Sequence, residues 1–285
     1  MILRDRLIFG TARLSGGAYA RRSRHVIEAC LQAGIRRFDT APSYGMGAAE
    51  QLLGEVTCGI DQVAIHTKAG APKPAFSGLR GWAKALTAPI RRGSGNSRMT
   101  LPIAPYRGPD VAMNYTAAAL QTSLARSHDL LRREVLDLAL LHEAEPRHID
   151  AASWAVFEQA AAQGSAREIG FAHFGPLLAE HPGLTAQIAP CAADFAQEDN
   201  PGKRIFHSIR RATLELAGRD PGVAARLATI AGEFGLEREG AAGEYLAALL
   251  LLARIQPRAR LIFATGDPAH FGRFLSLLGR VEGRS

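Results

Sequence analysis

The sequence predicts an α/β fold in which eight parallel strands close into a (β/α)8 barrel of the TIM type, a single domain spanning residues 1–285. Two observations carry that prediction. Short strand-like runs alternate with longer helix-periodic stretches, and the strand runs recur eight times along the chain. In addition, three successive runs end in Asp39, Lys68 and His142 or lead directly into them, and the C-terminal strand ends are the face on which such barrels carry their sites. An open doubly wound sheet is the alternative, and no Gly-x-Gly-x-x-Gly turn decides between the two.

The elements follow in order. The first strand is predicted over Arg6 to Gly10. The first helix, near Arg22 to Ala33, sets Val26, Ile27, Cys30 and Leu31 on one face and stops at Gly34, a suitable C-cap. Ile35 to Asp39 is the second strand and Gln62 to Thr67 the third. A long stretch rich in Gly, Pro, Ser and Arg follows, Ala69 to Met113, too long for a passive connection. Leaving the C-terminal end of a strand, it is expected over the mouth, as a lid offering Trp82 and Tyr106 or as a solvated insertion with a small helix near Gly81 to Thr87. A helix over Tyr115 to Leu131 leads to the fourth strand, Val135 to Leu141, and a helix over Ser153 to Gln163 to the fifth, Ala166 to Phe171. The sixth and seventh strands are read at Ala186 to Ala189 and Lys203 to His207, joined by a polar connection from Cys191 to Gly202. Helices over Gly222 to Phe234 and Ala241 to Arg254 precede the last strand, Arg260 to Ala264.

With 47% hydrophobic and 21% charged residues, the 285-residue chain has the composition of a globular protein with a sizeable core. Its three cysteines, Cys30, Cys58 and Cys191, are too scattered for a disulfide framework or a thiol metal site and fit a reducing cytoplasm. No apolar run is long enough to span a bilayer, and no apolar core follows Arg4, Asp5 and Arg6 as in an export signal. Neither a membrane partner nor a metal is expected. The net charge of +7 favours an anionic ligand, such as a phosphorylated cofactor, over long range. Part of that charge is local, since Asp110 is the only acid between Ala69 and Met113 against Lys73, Arg80, Lys84, Arg91, Arg92, Arg98 and Arg107. Nucleic acid is not expected, because no aromatic and basic motif of a known binding module accompanies the charge.

In a barrel, Asp39, Lys68 and His142 converge on one mouth, and Tyr44 follows in the loop after the second strand. A phenol donates a proton poorly at neutral pH unless a cation lowers its pKa, and Lys68 can be that cation. Burial would strip the proton from the lysine, and a carboxylate such as Asp39 on the adjacent strand would hold it charged. A neutral His142 imidazole can orient a substrate oxygen. These four groups suit carbonyl reduction and its reverse, with neither a metal nor a covalent nucleophile. The bland alternative is a structural ion pair, a loop aromatic and a packed core histidine. His66 is expected to point into the barrel as such a core histidine.

The chain resembles the aldo-keto reductases. The resemblance rests on Phe9-Gly10-Thr11, Phe38-Asp39-Thr40-Ala41 with Tyr44-Gly45-Met46-Gly47 and Glu50-Gln51-Leu52-Leu53-Gly54, Thr67-Lys68, Ser123-Leu124 with Leu136-Asp137-Leu138, and Leu140-Leu141-His142. It implies an eight-stranded barrel, a nicotinamide cofactor held without a Rossmann domain, and a tetrad of Asp39, Tyr44, Lys68 and His142 with Tyr44 as general acid. It further implies cofactor contacts at Gly10, Thr11 and Asp39, and a small carbonyl or alcohol substrate for a monomer or small homo-oligomer. Where such proteins commonly have a Ser-Asn pair after the fifth strand, this chain reads Ala172-His173, so His173 stands in for the asparagine; Gln187 matches the family glutamine that contacts the carboxamide. After the seventh strand either Phe206 or His207 is placed to stack on nicotinamide, with Ser208 and Arg210 toward the pyrophosphate. Thr265, Gly266, His270 and Arg273 belong to the last cofactor segment, where Arg273 would pair with a 2′-phosphate and favour NADPH over NADH, NAD remaining possible. Phe274 replaces an asparagine often found for adenine. These departures leave a second reading, a catalytically weak cofactor-sensing or interaction subunit on the same barrel.

Overall fold

The computed structural model describes residues 3–60, 62–71, 113–174, 181–196 and 202–283. The segment predicted after the third strand, with Trp82, Tyr106 and its small helix, lies outside the described residues except at its ends.

Eight strands, β1 (Leu7–Gly10), β2 (Arg37–Asp39), β3 (Ala64–Ala69), β4 (Leu136–His142), β5 (Ala166–His173), β6 (Thr185–Ile188), β7 (Lys203–Phe206) and β8 (Arg260–Phe263), pair in sequence order. All pairings are parallel, and β1 pairs with β8 through Leu7 to Phe9 against Leu261 to Phe263, so the sheet closes into a barrel. The closed (β/α)8 arrangement is thus present and the open sheet is not. The helices are α1 (Ala20–Gln32), α2 (Ala49–Thr57), α3 (Ala117–Leu131), α4 (Ala151–Ala162), α5 (Ala192–Ala196), α6 (Ile209–Ala217), α7 (Pro221–Phe234), α8 (Gly240–Ile255) and α9 (Pro268–Glu282).

Strand alternation sorts the side chains into two sets. Phe9, Phe38, Ile65, Leu141, Phe171, Phe206 and Phe263 face outward into the core shared with the helices. Ile8, Leu138, Leu140, Ala172, Ile205 and Ile262 fill the barrel interior as a separate apolar cluster. One interior position admits only glycine. A Cβ on Gly170 would stand 1.9 Å from the carbonyl oxygen of Thr185, so the β5 and β6 backbones approach closely because no side chain separates them.

Two predicted strand ends shift in a way that matters for the site. β3 runs two residues further than predicted, through Lys68 to Ala69, and β4 one further, to His142. Parallel pairing of Lys68 with Leu140 holds the lysine inside the sheet and so fixes its direction. The segment read as an arginine-bearing phosphate loop is instead the start of α6, where Ile209 and Thr213 are buried on one face. Asp267 caps α9, accepting from the Ala269 N–H at 3.0 Å, whereas Ser208, at the start of α6, makes no capping bond with its side chain and takes a left-handed φ of 53°.

Candidate active site

The register of β2, β3 and β4 carries Asp39, Lys68 and His142 to the same end of the barrel. Lys68 Nζ donates to Asp39 Oδ1 at 2.6 Å and to the Thr40 carbonyl at 2.9 Å, with both side chains almost completely buried. The Thr40 side chain is in turn held by Thr11, whose hydroxyl donates to Thr40 Oγ1 at 2.9 Å. Thr11, expected to contact cofactor, therefore braces the loop that presents Tyr44. Gly10, paired with Asp39 across β1 and β2, faces inward: a Cβ there would lie 2.9 Å from Ile262.

Tyr44 sits at the start of a 3-10 turn over Tyr44–Gly47 and brings its ring to the cluster. Lys68 Nζ lies 4.7 Å from the Tyr44 ring centroid, and the ring meets His142 edge to face at 6.0 Å. The structure thus brings the four residues of the expected tetrad together.

Burial alone would strip Lys68 of its proton, but the facing Asp39 carboxylate and Tyr44 phenol outweigh it and raise the lysine above its ordinary pKa. Lys68 is an ammonium at neutral pH. For Tyr44 the balance differs from the sequence expectation. Burial raises the phenol and Lys68 offsets this only in part, with Asp39 acting in the same sense as burial, so Tyr44 ends above its ordinary pKa. The phenol is thereby kept protonated, a donor rather than a phenolate. His142 is pushed down to about 3 by burial, then by Lys68 and His207, and is a neutral imidazole. Its Nδ1 is buried and has no hydrogen-bond partner among the described residues.

The strand ends beyond β4 add a second group of polar side chains. On β6, Gln187 is buried and hydrogen-bonds the Asp39 carboxylate, which only its amide N–H can do. Its Oε1 is left without a partner among the described residues, an acceptor in a buried site. Phe206 is fully buried in the outer core, whereas His207 turns to the mouth, Nε2 donating to the His173 carbonyl at 3.1 Å and Nδ1 lying 3.0 Å from Ser208 Oγ. Burial first, and then nearby cations, push His207 down to about 4. Its ring meets the exposed Phe174 edge to face at 5.0 Å.

The last segment holds fewer of its expected partners ready. Thr265 Oγ1 accepts from the Asp267 N–H at 3.1 Å, and Gly266 lies so close to the β1 loop that a Cβ would come 2.5 Å from the Arg13 carbonyl. His270 is half-buried and feels Asp267, Arg210 and Arg13. Arg210 is engaged by Glu244 through Nε at 3.1 Å and Nη2 at 2.5 Å. Arg273 is bound by Glu239, which also takes Arg280 at 2.8 Å. Phe274 is fully buried, stacked on Phe263 at 4.0 Å, and belongs to the core. Asp267, Glu239 and Arg13 were not among the residues read from the sequence. The Asp267-Pro268 pair was the available signal, an N-cap followed by Pro at the first helical position.

The profile of the aldo/keto reductase family matches residues 6–182, which include the whole tetrad and the strands that present it. The chain belongs to the aldo/keto reductase family. Among curated relatives it is 33% identical over 153 residues to a D-threo-aldose 1-dehydrogenase from a Pseudomonas species, a match covering 51% of this chain and 42% of the relative's length. Among solved structures, the glycerol dehydrogenase of Gluconobacter oxydans superposes with a TM-score of 0.62 at 18% identity, over 98% of this chain and 89% of that one. An aldo/keto reductase from Klebsiella pneumoniae, solved with NADP and acetate, gives 0.59 at 18% identity over 96% and 85%. At such identities these structures establish the shared barrel. Among the described residues no helix is long and apolar enough to cross a membrane, and no group of three or more His, Cys, Asp or Glu is placed to hold a metal ion.

Proposed function

We propose that the chain is a nicotinamide-dependent oxidoreductase that reduces an aldehyde, ketone or sugar-like carbonyl to the alcohol and runs the reverse oxidation. The observation that carries this reading is Lys68 Nζ held between Asp39 Oδ1, at 2.6 Å, and the Tyr44 ring, at 4.7 Å, with a neutral His142 beside them. Similarity to a D-threo-aldose 1-dehydrogenase supports an aldose-like substrate.

The residues present fit a nicotinamide. The buried, unpartnered Oε1 of Gln187 can accept from the carboxamide N–H, with His173 and His207 on the neighbouring strand ends and Asp39 beneath. Bound reduced nicotinamide supplies the hydride. Tyr44, kept protonated, gives its hydroxyl proton to the substrate oxygen as that oxygen gains charge, and Lys68 stabilises the phenolate left behind. Asp39 holds Lys68 in place and charged. His142, unable to ionise near neutral pH, hydrogen-bonds the substrate oxygen and orients the carbonyl toward the nicotinamide.

The test is titration of the purified protein with reduced dinucleotide, followed by a panel of aldoses, aldehydes and ketones assayed by nicotinamide absorbance. Tyr44→Phe is expected to bind dinucleotide as before and to lose roughly 10²- to 10⁴-fold in turnover. Unchanged turnover would remove Tyr44 from the chemistry. Ala172 and His173 in place of the Ser-Asn pair favour the second reading, a cofactor-sensing subunit; tight dinucleotide binding with no turnover across the panel would select it.

A further inference from the structure

In barrels of this kind, phosphates are commonly received by the loops after the seventh and eighth strands, where helix N-termini point at the mouth. Here those connections are His207 and Ser208, leading into the first turn of α6 with Arg210, and Ala264 to Asp267, leading into α9. The expected cations there are already matched by the protein's own acids. Glu244 holds Arg210 by two nitrogens, and Glu239, largely covered by its neighbours, holds Arg273 together with Arg280.

At the start of α9, where a terminal phosphate would accept from the first N–H groups, the acceptor is the Asp267 carboxylate. It takes the Ala269 N–H at 3.0 Å and lies 3.3 Å from Arg22, with its side chain 58% exposed and within reach of a ligand. A carboxylate can accept a hydrogen bond from a ribose 2′-hydroxyl, whereas a 2′-phosphate presents like charge and no donor. Arg13 acts on His270 at the same end and leaves positive charge for the pyrophosphate, which both dinucleotides share.

We propose that this cleft selects NADH over NADPH, with Asp267 as the specificity-determining residue and Glu239 withholding Arg273 from a 2′-phosphate. The proposal rests on the dinucleotide reading above and reverses the preference that Arg273 suggests in the sequence alone.

The experiment is calorimetric titration of the intact protein with NADH and with NADPH, repeated on Asp267→Asn. Asparagine caps a helix as well as aspartate does, so the variant should fold, and its melting temperature confirms that. The unaltered protein is expected to bind NADH at least about tenfold more tightly, and Asp267→Asn to bring the two affinities within about threefold, mainly by tightening NADPH. NADPH binding as tightly as NADH in the unaltered protein would overturn the selectivity while leaving the dinucleotide reading in place. A ratio unchanged in Asp267→Asn would remove Asp267 from the discrimination. Binding of neither dinucleotide would overturn the parent reading and this one with it.

Discussion

At the scale of single residues the site is governed by what burial does to charge. Asp39 and Lys68 are each nearly inaccessible, so removing one partner leaves the other as an uncompensated buried ion. Lys68→Met is therefore expected to cost about 3–5 kcal/mol of stability, and adding Asp39→Asn to recover a large part of that, since the pair then becomes neutral. Urea unfolding of the single and double variants checks this; additive losses would mean that the two charges are not coupled. The histidines give a second prediction with a defined sign. His142 and His207 have pKa values of about 3 and about 4 in the fold, against 6.5 for an unperturbed imidazole. Below pH 6.5 the unfolded chain binds protons that the folded one refuses, so stability falls as the pH drops from 6.5 toward those values. The slope approaches about 1.4 kcal/mol per pH unit for each histidine, and above neutrality they contribute no slope. Unfolding at pH near 7.5, 6 and 5 should show this, and a His142→Gln/His207→Gln variant should show a shallower decline.

At the scale of elements, the positions that decide the architecture are those where backbones meet. Arg6, just before β1, closes the end of α8: its guanidinium donates to the carbonyls of Ala259 at 2.8 Å and Ala253 at 2.9 Å and also to that of Gln256. Arg6→Lys can follow only one of these directions and is expected to cost about 2–4 kcal/mol, read as a lower urea midpoint. Gly170→Ala should cost more than about 4 kcal/mol, because the new methyl would collide with the Thr185 carbonyl and β5 and β6 would have to part. Near-normal stability for the alanine variant would show that the sheet yields there. These contacts also mark the limit of what the sequence reveals. The strands and most of the helices were legible because their apolar residues repeat at the period of the element, as along α1 with Val26, Ile27 and Cys30 on its buried side. The helix α6 was not, because its first turn carries Arg210 and Arg211, which read as ligands for a phosphate, although its apolar residues do repeat at the helical period. The convergence of Asp39, Tyr44, Lys68 and His142 was legible because each of them ends or follows a strand. The partners Glu239 and Glu244 lie in α8 or just ahead of it, and no spacing in the sequence announces that a glutamate there will reach an arginine on a later or earlier helix.

At the scale of the whole molecule, the excess of basic residues acts differently from contact ion pairs. With Arg210 and Arg273 engaged by Glu244 and Glu239, the net charge of +7 reaches an approaching dinucleotide mainly as a field spread over the surface. Such a field speeds encounter and is screened over about 10 Å at 0.1 M salt, whereas buried hydrogen bonds at Gln187 and Asp39 are hardly screened. Raising sodium chloride from about 20 to 200 mM is therefore expected to weaken dinucleotide binding by roughly two- to fivefold, almost entirely through slower association. Stopped-flow protein fluorescence with NADH separates the two rates. A dissociation rate that rises with salt as steeply as association falls would mean that phosphate groups sit in direct contact with exposed arginines, and that the Glu239 and Glu244 pairs open when the ligand arrives. Turnover at saturating cofactor should stay constant across the same range, because the Lys68, Tyr44 and Asp39 cluster lies behind the barrel mouth, where salt does not reach.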